Sequence, residues 1–205
     1  MKHDAALEHL KNADPKLAIL IEQVGPCTLR VRKELDIFQS LLGSIVYQQL
    51  AGKAAAAILA RVVGCFCENG DYPTPQQILG APDELLRSAG LSRNKLLAVK
   101  DLAQKAADGV VPTRAQARRL SDEVLIERLT EVRGIGVWTV EMLLIFGLGR
   151  PDILPVTDYG VRKGFQRTFK TRGGLPTPKQ MNRRGEKWRP YRSIASWYLW
   201  RAAEM

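Results

Sequence analysis

Cysteine and histidine are scarce in this 205-residue chain. The three cysteines, Cys27, Cys65 and Cys67, are odd in number, and their spacing matches neither a disulfide framework nor a four-cysteine metal site. Cys65 and Cys67 read as ordinary buried thiols in a reducing compartment. The only histidines, His3 and His9, stand at the N-terminus, away from every motif, so no catalytic metal is expected. Long apolar runs are missing as well. The longest near the middle of the chain, residues 140–148, is broken by Glu141 and Gly147 and falls far short of the ~20 residues that cross a bilayer. The opening MKHDAALEHL has no apolar core of signal-peptide length. These absences exclude disulfide-rich secreted and membrane-spanning classes and lead us to expect a cytoplasmic protein.

Acidic residues run out toward the C-terminus. The net charge of +10 comes from 31 Lys+Arg against 21 Asp+Glu. Residues 1–158 are neutral, with 19 of each sign, whereas residues 159–205 hold 12 Lys/Arg against Glu186 and Glu204 alone. That segment is interleaved with Trp188, Tyr191, Trp197, Tyr198 and Trp200, too aromatic for a disordered tail. It reads as a folded basic face for a polyanion, either nucleic acid or an anionic membrane. The membrane surface is disfavoured because no basic amphipathic helix with free ends is present.

Helical periodicity dominates what is there, and the length suits one core or two lobes around a cleft. Helices are expected over 4–10, 15–24, 74–79, 83–89, 93–108, 122–130, 137–148, 158–169, 178–184 and 190–203. Residues 36–63 predict one or two more, with Gly43 and Gly52 as weak points. Ser121 is a suitable N-cap for the helix at 122, whose first turn is acidic. Some extended structure is allowed at 27–32, but no segment shows convincing strand alternation, and the fold class is all-α.

The most informative stretch joins two of these helices. Arg133-Gly134-Ile135-Gly136 closes one and opens the next at once. Two glycines let the backbone turn sharply and leave amide N–H groups open, which suits a phosphate. Gly-x-Gly by itself describes a plain αα-hairpin equally well. Beyond it come Arg150-Pro-Asp-Ile-Leu-Pro-Val-Thr-Asp158 and then Trp188-Arg-Pro-Tyr-Arg-Ser-Ile-Ala-Ser-Trp-Tyr-Leu-Trp200. Upstream lie Ser44-Ile-Val-Tyr-Gln-Gln-Leu-Ala-Gly-Lys and Gly90-Leu-Ser-Arg-Asn-Lys.

In this order the motifs resemble the DNA-3-methyladenine glycosylase II family of the helix-hairpin-helix glycosylase superfamily, from about residue 36 to the C-terminus. The resemblance implies a two-lobed helical fold with a DNA-facing active-site cleft between the lobes. It implies a single catalytic unit over 1–205, with its hairpin at about 122–148 and without the extra N-terminal domain of larger members. The implied activity is excision of alkylated bases from double-stranded DNA, by a monomer acting in the nucleoid or nucleus.

Asp158 matches the family's catalytic carboxylate. It would offset positive charge developing on the sugar as the glycosidic bond breaks. Its other reading, as the N-cap of the following helix, is compatible with that role. Asp152 reads as a tie for the loop. Trp138 stands where strand-nicking relatives carry a lysine that forms a Schiff base, so base removal without strand cleavage is expected. Core packing is the other reading of Trp138.

Trp138 and Trp200 match aromatic pocket residues that would stack on cationic alkylated bases, and Tyr47 is a candidate wall. Trp188, Trp197 and Tyr198 read as core. Met142 departs from a branch of the family that has Tyr there, which leaves the pocket's shape open. Gln48, Gln49 and Leu50 match the loop that plugs the duplex, with Gln49 favoured. Arg133, Gly134 and Gly136 would contact DNA. Main-chain carbonyls of Thr130, Val132 and Ile135 match a site for Na+ or K+. No cysteine follows Cys67, so the iron–sulfur cluster of some relatives is not expected. Two rival readings are a non-catalytic helix-hairpin-helix module that binds DNA structure and a glycosylase for oxidised or mismatched bases.

Overall fold

The computed structural model describes residues 3–32, 34–66, 71–171 and 173–205. Thirteen α-helices follow one another among them: α1 (Asp4–Ala13), α2 (Pro15–Val24), α3 (Ile37–Tyr47), α4 (Gly52–Gly64), α5 (Pro75–Gly80), α6 (Asp83–Ser88), α7 (Arg93–Ala107), α8 (Arg114–Ala117), α9 (Asp122–Thr130), α10 (Val137–Met142), α11 (Tyr159–Phe169), α12 (Pro178–Gly185) and α13 (Arg192–Glu204). A π-helical turn, Leu143–Leu148, continues α10, and a 3-10 turn, Glu186–Trp188, precedes α13. No strand occurs among the described residues, and residues 27–32 belong to no regular element. The fold class is all-α, as expected.

Local chemistry explains most helix starts. Asp36 with Gln39, Thr74 with Gln77, Thr113 with Gln116 and Thr177 with Gln180 form reciprocal capping boxes. Ser92 and Ser121 cap α7 and α9. Proline opens α2, α5 and α12, where its missing N–H costs nothing. The short α8 was not anticipated, although Thr113 and Gln116 carry its signature. The break between α3 and α4 falls at residues 48–51. Gly43 lies inside α3 without interrupting it, and Gly52 begins α4.

The chain divides into two helical units, residues 1–31 with 144–205, and residues 32–143. The first is built on α11 packed against α13, with α1 and α2 beside them. Its core includes Leu10, Leu17, Phe165, Trp188, Tyr198 and Leu199. Trp188 and Tyr198 are fully buried and Trp197 is buried, as the aromatic stripe predicts. Gly164 brings α11 onto α13. A Cβ there would lie 1.7 Å from the Leu199 carbonyl oxygen, so no larger residue fits.

At the centre of this unit the wholly buried Asp14 takes Arg184 through two hydrogen bonds of 2.8 Å and Lys187 at 3.2 Å. It also accepts from the Trp188 indole at 3.2 Å and from the Lys16 amide. Burial pushes the Asp14 carboxyl up, but hydrogen bonds from Arg184 and Lys187, with the Arg184 charge and Trp188, outweigh it and hold it below the usual carboxylate range.

In the second unit α3 and α5 pack on α7, α4 on α3 and α10 on α9. Leu41, Leu42, Ile45, Leu102, Leu125 and Leu129 are fully buried. Cys65 is only half-buried because it caps the end of α4, contrary to the buried thiol expected. Cys67 lies outside the described residues.

Candidate functional site

In the first unit the site is assembled on the loop between the π-helical turn and α11. Asp152 ties this loop down, accepting from Arg192 Nε at 2.7 Å and Arg189 Nη1 at 2.6 Å. Ser193 Oγ donates to the Arg150 carbonyl and accepts from the Ile153 amide, and Ser196 Oγ donates to the Ile153 carbonyl. The start of α13 therefore fixes the backbone that leads to Asp158.

Asp158 is the N-cap of α11, and its Oδ1 accepts from the Val161 amide at 2.7 Å. The same oxygen accepts from the Trp200 indole N–H at 2.8 Å. Capping and a held carboxylate thus coexist in one residue. Trp200 is half-buried, and its ring lies 5.5 Å from that of Phe146, tilted by 34°. The sequence offers Trp200 as a pocket residue; the bond to Asp158 is a further contact that only the fold reveals. Phe146 and Gly160, beside this pair, were missed, because neither residue type signals chemistry.

In the second unit, α9 and α10 form the hairpin expected around 122–148. Gly134 has φ +80°, a conformation that favours glycine, and the Ile135 amide donates to the Val132 carbonyl at 3.0 Å. Gly136 has φ −99°, which any residue adopts, and a Cβ there would meet nothing. Only Gly134 is therefore demanded by the turn. Gly136 leaves the exposed side of the hairpin clear without any conformational need for glycine.

Two contacts tie the hairpin to its neighbours. The Arg133 amide donates to Asp101 on α7 at 2.7 Å, and Gln48 Nε2 donates to the Gly134 carbonyl at 2.8 Å. Burial pushes Asp101 up, but the Arg133 amide and Lys105 bring its carboxyl below the usual range. Lys95 donates to the Val46 carbonyl at 2.6 Å, and burial pushes its ammonium below the usual lysine value. Asp101 was not anticipated, since its pairing with Lys105 four residues on resembles an ordinary surface pair.

Tyr47, the last residue of α3, and Gln49 and Leu50 in the loop after it are all exposed, with Gln49 at φ +58°. Trp138 is 50% exposed, which removes the core reading. Met142 is half-buried, and the Arg133 side chain is exposed. Thr130 ends α9, Ile135 lies in the turn, and Val132 is buried with its carbonyl already accepting one bond.

The basic segment is corrected by the fold. Arg184 and Lys187 are spent on Asp14, and Arg189 and Arg192 on Asp152. Arg201 pairs with Glu204, while Arg162 and Arg167 bind backbone carbonyls. Acids far away in sequence are close in space, so part of the segment's positive charge is paired within the fold. Among the described residues no group of three or more His, Cys, Asp and Glu side chains could hold a metal. No helix among them is long and apolar enough to cross a membrane.

Residues 42–190 match the model of the HhH-GPD superfamily of base excision DNA repair proteins. The chain is 37% identical to DNA-3-methyladenine glycosylase 1 of Schizosaccharomyces pombe, over 96% of this chain and 86% of that protein. Among solved structures, the S. pombe 3-methyladenine DNA glycosylase Mag1 in complex with abasic DNA aligns with a TM-score of 0.82 at 37% identity, covering 98% of this chain and 97% of that one. A DNA-3-methyladenine glycosidase from Bacillus halodurans aligns with a TM-score of 0.87 at 34% identity, covering 97% and 88%.

Proposed function

The chain belongs to the HhH-GPD superfamily of base excision DNA repair proteins, and from that membership we propose that it is a monofunctional DNA glycosylase that excises alkylated bases from duplex DNA. The observation that carries this reading is the doubly held Oδ1 of Asp158, an oriented carboxylate on a loop pinned by α13. The relatives named for 3-methyladenine excision support the substrate class.

The chemistry follows from the residues. The target nucleotide leaves the stack before its glycosidic bond can be reached. As that bond breaks, positive charge grows on the sugar, and the Asp158 carboxylate offsets it. The base departs with the bonding electrons, water adds to the anomeric carbon and loses a proton to solvent, and an abasic site remains. Trp200 offers a face for a cationic base, and the exposed Trp138 is a second aromatic that DNA can meet. Trp138 also occupies the position that a Schiff-base lysine would need, and an indole cannot form that adduct. We therefore assign base removal without strand cleavage.

Gln48 is committed to the hairpin carbonyl, so we assign the duplex plug to Gln49, with Leu50 beside it. The amides of the turn at Gly134 and Gly136, with Arg133, would meet phosphate. The carbonyls of Thr130, Val132 and Ile135 would hold Na+ or K+ without losing protons, and Val132 retains one lone pair for it. That ion would add positive charge next to the phosphate contacts. The protein is assigned to act as a monomer.

The test is excision on duplexes with and without an alkylated base. Release of the alkylated base, leaving an intact abasic strand, is expected. Binding without release would favour a non-catalytic DNA-structure module, and preferential release of oxidised or mismatched bases would move the chain to another branch of the fold.

A further inference from the structure

Gly160 occupies the first turn of α11, two residues after Asp158. Its backbone lies outside the left-handed region, so conformation does not demand glycine there. Glycine also weakens a helix relative to alanine. What surrounds the position explains it. A Cβ at Gly160 would lie 2.8 Å from Trp200 Cδ1, 3.3 Å from Trp200 Nε1 and 3.2 Å from Asp158 Oδ1. The missing side chain is thus replaced by the pyrrole edge of the indole, the edge that carries the N–H bonded to Asp158. The same ring also meets Phe146.

We propose that Gly160 is a positioning residue for base excision: its bare backbone seats the Trp200 indole so that the indole N–H holds the Asp158 carboxylate in its working orientation. The proposal rests on the assignment of Asp158 as the catalytic carboxylate. Gly160 acts by leaving room for the Trp200 ring edge, with Asp158 Oδ1 beside it. Any side chain at 160 meets the ring edge first, at 2.8 Å, and Asp158 Oδ1 next, at 3.2 Å; the larger displacement, that of the ring, reaches the carboxylate through the indole hydrogen bond. A base stacked on the indole and the carboxylate that assists its departure are in this way set by the same ring.

The test compares wild type, Gly160→Ala, Trp200→Phe and the double variant by single-turnover excision at saturating enzyme. Affinity for an abasic-site duplex, melting temperature and the indole N–H resonance of Trp200, identified by its loss in Trp200→Phe, complete the set. Gly160→Ala should slow excision at least about tenfold, a change of about 1.4 kcal/mol in barrier, with abasic affinity retained and the Trp200 resonance shifted. In the Trp200→Phe background, where no N–H remains to be misplaced, the same alanine should cost less than about threefold.

An unshifted resonance with wild-type excision overturns the proposal. So does a full tenfold loss in both backgrounds, or a joint collapse of melting temperature and abasic affinity, which would make Gly160 a packing residue. Asp158→Asn, measured alongside, separates the two claims. Excision intact in that variant refutes the functional reading and the proposal with it. Excision lost there but intact in Gly160→Ala refutes the proposal alone.

Discussion

Replacing Trp200 by phenylalanine and by alanine divides its two roles by magnitude. Phenylalanine keeps an aromatic face but removes the N–H that reaches Asp158 Oδ1 at 2.8 Å. A hydrogen bond to a charged group contributes about 1.5–3 kcal/mol. If all of it is expressed in the transition state, excision by Trp200→Phe should fall about 10- to 150-fold. Alanine also removes the stacking face, worth about 1–3 kcal/mol per base, so its loss should reach about 10²–10⁴-fold. Affinity for an abasic-site duplex should change little in either variant, because that ligand has no base to stack and no bond to break. Trp200 is only half-buried, so the phenylalanine variant should keep most of its thermal stability. Single-turnover excision, abasic affinity and melting temperature on the same preparations decide the matter. Equal losses in excision and abasic binding, with a large fall in melting temperature, would show Trp200 to be core and refute the reasoning.

Asp158→Asn should keep the fold and the DNA affinity, since an amide oxygen can still cap α11, while excision falls by at least about 100-fold for want of a charge opposite the developing cation; a near wild-type rate would remove Asp158 from the mechanism. Borohydride should trap no protein–DNA adduct during turnover, and a trapped species on a gel would show that an amine attacks after all. Asp14→Asn should destabilise the protein by about 3–5 kcal/mol, because Arg184 and Lys187 are left against a neutral group, which corresponds to a fall in melting temperature of about 6–20 °C. The Asp14 carboxyl is held below its usual range, so its contribution is complete above the unfolded value of about 3.9 and is lost as pH falls through the lower folded value. The gap between wild type and Asp14→Asn should therefore narrow only in strong acid, and a gap that closes already at pH 6 would contradict the network.

Elements were far easier to read from the sequence than the bonds that tune the site. Pro15, Ser121 and Thr177 announce helix starts through local chemistry, and the predicted span 15–24 is observed unchanged. Asp158 and Trp200 were found because each lies in a recognisable motif, yet their hydrogen bond spans 42 residues and depends on how α13 packs on α11. Gly160 carried no signal at all, since glycine in a helix looks like a weak point until the ring edge beside it is located. Gln48 and Gln49 are neighbours in one loop, and the sequence favours Gln49 as the plug without showing what Gln48 binds. The fold separates them, turning Gln48 inward to Gly134 and leaving Gln49 exposed in a left-handed backbone. Pairing of charge was hidden for a related reason: linear counting cannot see that Asp14 and Asp152 are partners of cations 37 or more residues away.

That correction sharpens the electrostatic expectation instead of removing it. Residues 1–31 and 144–205 together hold 17 Lys/Arg against 8 Asp/Glu, whereas residues 32–143 hold 14 against 13. Nearly all of the surplus belongs to one unit even after Asp14 and Asp152 are counted with it. Paired cations look neutral beyond a Debye length of about 8 Å at physiological salt, but 8 acids cannot neutralise 17 bases. The excess still attracts a polyanion, and each phosphate neutralised by it releases a counterion on binding. Affinity for duplex DNA should therefore fall steeply between low and physiological salt. Substituting Lys163 or Lys179, which lie in this unit and are not among the ion-pair partners of Asp14 or Asp152, should flatten the slope if either meets a phosphate. Arg184→Gln should instead lower stability while leaving the slope unchanged, because Arg184 is already bound to Asp14. A salt slope that Arg184→Gln flattens while the melting temperature holds would mean that the pair opens to bind DNA. An affinity that ignores salt altogether would refute the electrostatic reading at its root.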